Sequence, residues 1–203
     1  CFYYLTVMNE NYEHPALENV PADDIVKGMY LLRETKGDKG RVQLLGSGTI
    51  LREVEEAATL LENDWGIGAD IWSVTSFNEL RREALLLERE AFLNPDAEAH
   101  KPHVTQCLEG RDGPVIASTD YMKLYADQVR AWVPNDYTVL GTDGFGRSDT
   151  REKLRYFFEV DRYFVTVAAL RALADRGEID RKHVGDALKK YGIDANKPNP
   201  LTS

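Results

Sequence analysis

The sequence is poor in cysteine and has no long apolar run, no basic excess and no repeats. Its two cysteines in 203 residues, Cys1 and Cys107, have no C-x-x-C pairing and no Cys/His metal spacing around them, which argues against a disulfide framework and for reduced thiols in a cytoplasmic compartment. No apolar run approaches the roughly 18–20 residues that a membrane-spanning helix needs. No basic leader of a secretory signal is read at the start. Lys and Arg number 25 against 34 Asp and Glu, a formal net charge of -9, with a pI near 5.0. That balance argues against nucleic acid and anionic membrane as partners, since both require a basic face.

What remains is the composition of an ordinary water-facing domain with a core, 43% hydrophobic and 29% charged, long enough for one large domain or one domain with a fragment of another. The chain opens C-F-Y-Y-L-T-V, inside an apolar stretch and without Met, and reads as a piece of a longer protein. Phe2–Met8 has the aromatic and β-branched content of a buried strand. Asn9–Ala22, with Pro15 and Pro21, reads as a loop that crosses a domain boundary.

Downstream, strands alternate with amphipathic helices. A helical turn is expected at Asp23–Lys27, strands at Met29–Arg33 and Arg41–Leu45, and a polar turn at Gly37–Gly40. A helix follows with Ile50, Leu51, Val54, Ala57, Ala58 and Leu61 on one face, stopped by Gly66 and Gly68. The next strand is Asp70–Thr75. Ser76 and Glu79 have the spacing of a capping box for a helix burying Phe77, Leu80, Ala84, Leu87 and Ala91. Asn94–Pro102 is a polar loop, Pro114–Ser118 a strand, and Tyr121–Val133 a helix burying Met122, Tyr125, Val129 and Trp132. Tyr137–Leu140 is a strand, and helices are expected near 150–158, 162–176 and 181–191, with Gly177 and Gly192 as left-handed C-terminal caps. The tail Asn196–Ser203, carrying Pro198 and Pro200, reads as extended or disordered. This order implies a three-layer α/β sandwich on a mostly parallel, mixed sheet of about five strands.

Several stretches carry possible chemistry. Gly46-Ser47-Gly48 lies between strand and helix as a dinucleotide fingerprint would, but Leu51 replaces the third glycine and no acidic residue ends the next strand. A tight structural turn is the better reading. The G-x-S-x-G spacing of a nucleophile elbow is absent around Ser47. Gly141–Ser148 could hold an anion on backbone amides, yet Asp143 and Asp149 oppose one, so a structural corner or subunit contact is favoured; Asp149 or Glu152 could cap the helix behind it. His100, His103 and His183 read as solvated. Asn9, Glu10, Asn11, Tyr12 and His14 form a polar cluster directly after the first strand, where α/β proteins place chemistry. Glu10 and His14 could move protons near neutral pH, or the stretch could be only a turn.

Five motifs in one order, M-N-E-N-Y-E-H-P at Met8–Pro15, V-Q-L-L-G-S-G at Val42–Gly48, S-V-T-S-F-N-E-L at Ser73–Leu80, A-S-T-D-Y-M-K-L at Ala117–Leu124 and V-L-G-T-D-G-F-G-R-S-D at Val139–Asp149, resemble the C-terminal part of the homodimeric, bacterial-type first components of pyruvate dehydrogenase. These are thiamine-diphosphate enzymes of transketolase-like architecture. The resemblance implies that residues 1–22 are the last strand and exit loop of an upstream pyrimidine-binding domain and residues 23–203 a transketolase C-terminal-like domain. It implies catalytic roles for Glu10 and His14, with Asn9, Asn11 and Tyr12 in support. It further implies thiamine diphosphate and Mg2+ in the full-length parent, with none bound by this stretch alone, because the diphosphate-binding G-D-G…N signature and the glutamate that activates the cofactor ring are absent here. Implied partners are the rest of the chain, a second subunit and the dihydrolipoyl acetyltransferase core. Two rivals stay open: a free-standing α/β binding or dimerisation module, and a sister thiamine enzyme acting on another 2-oxo acid or a sugar phosphate. The Asn9–Pro15 loop supplies no basic phosphate ligands, which lowers transketolase itself.

Overall fold

The computed structural model describes residues 2–5, 11–13, 16–17 and 20–203. A short helix, α1 (Ala22–Lys27), leads into β1 (Met29–Glu34) and β2 (Arg41–Gly46), then α2 (Ile50–Leu60), β3 (Gly68–Val74) and α3 (Phe77–Leu93). After these come α4 (His103–Leu108), β4 (Val115–Ser118), α5 (Lys123–Asp127), β5 (Tyr137–Leu140), α6 (Arg151–Phe157), α7 (Arg162–Asp175) and α8 (Lys182–Lys190). The five strands form one sheet in the order β1-β3-β2-β4-β5. β1 runs antiparallel to β3, and the β2–β3, β2–β4 and β4–β5 pairs are parallel. The expected mixed, mostly parallel α/β sandwich is the fold found.

Strand alternation sorts the core into two layers. Val42, Leu44, Ala69, Ile71 and Ile116 pack against α2, α7 and α8, whereas Leu45, Trp72, Val74, Val115 and Ala117 pack against α3, α4 and α5. All seven residues of β3 are buried, as a strand covered on both faces requires. One polar network enters the second layer. Asp70 accepts from Gln43 Nε2 at 2.8 Å and Arg111 Nη1 at 3.0 Å and pairs with Arg41, while Gln43 Oε1 accepts from Trp72 Nε1 at 2.9 Å. A buried carboxylate is tolerable because its lone pairs are filled.

Several expectations need correction. Phe2, Tyr3, Tyr4 and Leu5 are exposed, Phe2 by 96%, and form no strand; neither edge strand of the sheet pairs with them. Residues 6–8 of that expected strand lie outside the described residues. The expected Tyr121–Val133 helix is broken into α5 and a 3-10 turn at Arg130–Trp132. Met122 stays exposed, because the amides of Thr142 and Lys123 tie residues 121–123 to the end of β5 through Tyr121 O (2.9 Å) and Asp143 Oδ1 (2.8 Å). Only half of the capping box forms. Ser76 Oγ accepts from Glu79 N at 3.1 Å, but the Glu79 carboxylate turns to Arg82 and Ser76 N donates to Gly28 O. Ala91 is exposed. Thr150, rather than Asp149 or Glu152, caps α6.

The tail is anchored. Lys197 Nζ bonds Phe157 O at 3.0 Å and Glu159 Oε1 at 2.8 Å, and lies 5.5–5.8 Å from the rings of Tyr156, Phe157 and Phe164, a cation–aromatic contact that composition alone does not announce.

His103 is the sharpest departure. It opens α4, a helix not expected from the sequence, and is buried, with Nε2 2.9 Å from Met29 O and its amide donating to Glu83 Oε2 at 2.8 Å. Cys107 Sγ lies 3.5 Å from the same ring nitrogen. Burial first, then the charge of Asp24, pushes the Cys107 thiol up to about 11.

Glu53 fastens α2 to the two helices that follow the sheet. Its carboxylate is 4% exposed as a residue and accepts from Arg155 Nη1 (2.9 Å), Arg162 Nε (2.9 Å), Arg162 Nη2 (3.2 Å) and the Arg162 amide (3.0 Å). Burial alone would raise its pKa; the hydrogen bonds and charge of Arg162, joined by the charge of Arg155, outweigh it and hold the carboxyl below its ordinary value. A depressed folded pKa adds stability above the unfolded value of about 4.3 and loses it as pH falls through the folded one. Glu53→Gln is therefore expected to cost about 3 kcal/mol near neutrality. In urea melts the gap to the parent should close below about pH 4.3; a gap independent of pH would contradict the assignment. Cys107 should resist iodoacetamide at neutral pH in the native protein and react after unfolding, because only the thiolate is nucleophilic. Equal rates in both states would contradict its burial.

Candidate functional site

The chain turns from β2 into α2 through Gly46-Ser47-Gly48. A side chain at Gly46 would come within 2.7 Å of Leu51 Cα, so the bare Cα is what lets α2 start directly over the strand. This is how Leu51 is accommodated at the position where a dinucleotide fingerprint has glycine. Gly48 has φ +55° and faces Asp120, a left-handed position that suits glycine. Ser47 Oγ donates to Thr119 Oγ1 at 2.8 Å, stitching the ends of β2 and β4. The stretch is the tight turn expected, and Ser76 after β3 is used in capping α3.

Sheet order reverses between β2 and β4: the chain goes from β2 out to β3, then back to β4 on the other side. The crevice outside the carboxyl ends of strands at such a reversal is where open α/β sheets bind ligands. Here Thr142 Oγ1 donates to Asp120 O at 2.7 Å, so the start of Gly141–Ser148 is a structural corner joining the ends of β4 and β5. Above it opens a cavity of about 340 Å³ whose lining includes Thr49, Ile50, Asp120, Thr142, Arg147 and Arg155. Arg155 is the arginine held by Glu53.

Of the stretch expected to carry chemistry, Tyr12 and Glu13 meet the same end of the sheet. Asn9, Glu10 and His14 lie outside the described residues. Asn11 is exposed and Tyr12 half-buried. The Arg52 guanidinium stacks 4.7 Å over the Tyr12 ring, and its Nη1 donates to Glu13 O at 3.2 Å. Arg52 is in the first turn of α2, so the structure brings Tyr12 and Glu13 beside the Gly46–Gly48 turn.

Elsewhere, His183 is exposed, stacks edge-on against Trp65 at 5.8 Å and accepts or donates through Nδ1 at Asp180 O (2.9 Å); His100 is exposed. Among the described residues, no group of three or more His, Cys, Asp or Glu side chains could hold a metal ion. The site residues that sequence reasoning missed are Glu53 and the arginines of the cavity. Glu53 had a legible signal, a carboxylate placed on the same helical face as Ile50, Val54 and Ala57. Arg151 and Arg155 had one too, the i, i+4 spacing that sets two side chains side by side.

Residues 28–161 match the family model of the transketolase-like TK C-terminal domain. The chain is 65% identical over 98% of its length to a Pseudomonas aeruginosa protein named pyruvate dehydrogenase E1 component, and 55% identical over 98% to the Escherichia coli K12 protein of that name. It spans 23% and 22% of those relatives, so it corresponds to about a quarter of their length or less. Among solved structures it resembles a transketolase from Pichia stipitis, with TM-score 0.51 and 20% identity over 80% of this chain and 20% of that one, a likeness of fold.

Proposed function

Since the chain belongs to the family of transketolase-like C-terminal domains, we propose that it serves as the C-terminal region of a bacterial pyruvate dehydrogenase first component, whose full-length form decarboxylates pyruvate and passes the acetyl group to the lipoyl group of dihydrolipoyl acetyltransferase. The observation that carries this reading is the 65% identity along nearly the whole chain to a protein of that name. In this reading residues 1–22 complete the preceding domain, and residues 23–203 form the support domain. The protein works as a cytoplasmic homodimer docked on the acetyltransferase core.

Thiamine diphosphate, held with Mg2+ by residues upstream in the longer protein, supplies the carbon nucleophile and the electron sink. In this reading this stretch brings substrate-facing side chains to the site. His14 donates a proton to the developing oxyanion of the 2-oxo acid and takes it back in the later step. Glu10 accepts a hydrogen bond from the substrate side and orients the reacting group. Asn9, Asn11 and Tyr12 hold this loop in place, and the contacts of Arg52 with Tyr12 and Glu13 support that positioning role. In the longer protein the exposed Phe2–Leu5 segment, which forms no strand within these residues, would pair and pack within the preceding domain.

In the full-length enzyme, His14→Ala is expected to lower kcat about tenfold or more, the range of a positioned proton donor, while the melting temperature stays unchanged. Steady-state turnover with pyruvate is the measurement. Full activity in the variant would remove His14 from the mechanism.

A further inference from the structure

Four large apolar side chains stand in water on the segments that follow β4 and β5. Phe145 is 81% exposed, and Tyr121, Met122 and Leu124 are each more than half exposed. The backbone that carries them is tied down. Tyr121 O accepts from Thr142 N at 2.9 Å, Asp143 Oδ1 from Lys123 N at 2.8 Å, and Asp120 O from Thr142 Oγ1 at 2.7 Å. Gly141 permits this approach, since a side chain there would come within 2.7 Å of Tyr121 O. The Tyr121 ring lies 4.5 Å from that of Tyr125, which stands edge-on to the buried Phe77 at 5.6 Å.

Two segments bonded to each other thus hold apolar side chains outward from a fixed backbone. Exposed Tyr, Met and Phe borne rigidly are the composition of an interface core, and their ordering entropy is already spent before a partner arrives.

The position of the patch selects its occupant. Asp120, which precedes Tyr121, is the residue that a side chain at Gly48 would meet, 3.3 Å from Oδ1. From the Gly46–Gly48 turn the chain passes into the first turn of α2, where Arg52 holds Tyr12 and Glu13. The patch therefore lies at the end of the sheet where the stretch before α1 meets the domain. The Pseudomonas aeruginosa relative is covered over only 23% of its length, and a region tethered at this end has an effective concentration that a free partner lacks. A second copy would bring the same net charge of -9 against itself. The tail leaves Phe145 exposed although Pro200 O sits where a side chain at Gly144 would be.

We propose that Tyr121, Met122, Leu124 and Phe145 form the docking surface for an apolar face of the upstream region of the same polypeptide. This rests on the reading of these residues as one part of a longer protein, and not on the proton-transfer roles given to Glu10 and His14.

In the full-length protein, Phe145→p-benzoylphenylalanine places a photo-cross-linker in the patch. Irradiation should give a linked product of single-chain mass on a denaturing gel, with the joined peptide mapping upstream of residue 1. A band of twice that mass would identify a second subunit as the occupant. A link confined to residues 1–203, or no link at all, would mean that no upstream segment covers Phe145. Each of these three results overturns the proposal. Leu124→Cys gives an independent check, read at that site by mass spectrometry. Iodoacetamide should modify it about tenfold or more slower in the native full-length protein than in urea, the margin of one well-buried interface residue; equal rates overturn the docking. Turnover of pyruvate is measured separately. A full-length protein inactive toward pyruvate that still gives the single-chain link would remove the proposed function and support this surface.

Discussion

One buried carboxylate sets the geometry of the functional end of this domain. Glu53 sits in the first turn of α2, on the face that otherwise presents Ile50, Val54 and Ala57 to the core, and draws Arg155 of α6 and Arg162 of α7 onto itself. A carboxylate at that depth is unfavourable unless every lone pair is used, and here four hydrogen bonds use them. The helix behind β2 and the helices after β5 are therefore held in one arrangement. The cavity lined by Thr49 and Ile50 of the α2 start and by Arg151 and Arg155 of α6 lies between elements that this contact joins.

A second constraint acts from below. Gly46 ends β2 without a side chain, so Leu51 approaches the strand and α2 begins immediately above the sheet. The first turn of α2 then points two charged groups in opposite directions. Glu53 faces the interior, while Arg52 reaches out to Tyr12 and Glu13. The same short helix thus anchors the scaffold and holds the segment that carries the proposed chemistry. Under the proposed function, that arrangement would hold the segment at the edge of an active site that the longer protein completes.

The regular part of the fold was legible because its signals are local. The helical face of Ile50 to Leu61, the alternation in β2, and the glycines at 177 and 192, both with left-handed φ, follow from periodicity and backbone sterics. What escaped the sequence depended on contacts distant in the chain. His103 reads as a loop histidine until Met29 O and Glu83 come to it from 74 and 20 residues away. The tail reads as loose until Lys197 meets three aromatic rings from α6 and α7. The Tyr121–Val133 helix has the right apolar spacing, but the end of β5 claims residues 121–123 first. In the site, the motif around Asn9–Pro15 was recognisable as a unit, whereas the group of cavity arginines emerges only when the loop after β5 folds over α2.

The central claim is that this domain supports one edge of an active site whose cofactor is held by the rest of a longer protein. Titration of thiamine diphosphate with Mg2+ into residues 1–203, shown to be folded by near-ultraviolet circular dichroism, beside the same titration into the full-length protein, tests it most directly. Saturable binding to the full-length protein and none to the folded domain is the result this account predicts. Equally tight binding to the domain alone would contradict it, because the cofactor site would then lie within these residues.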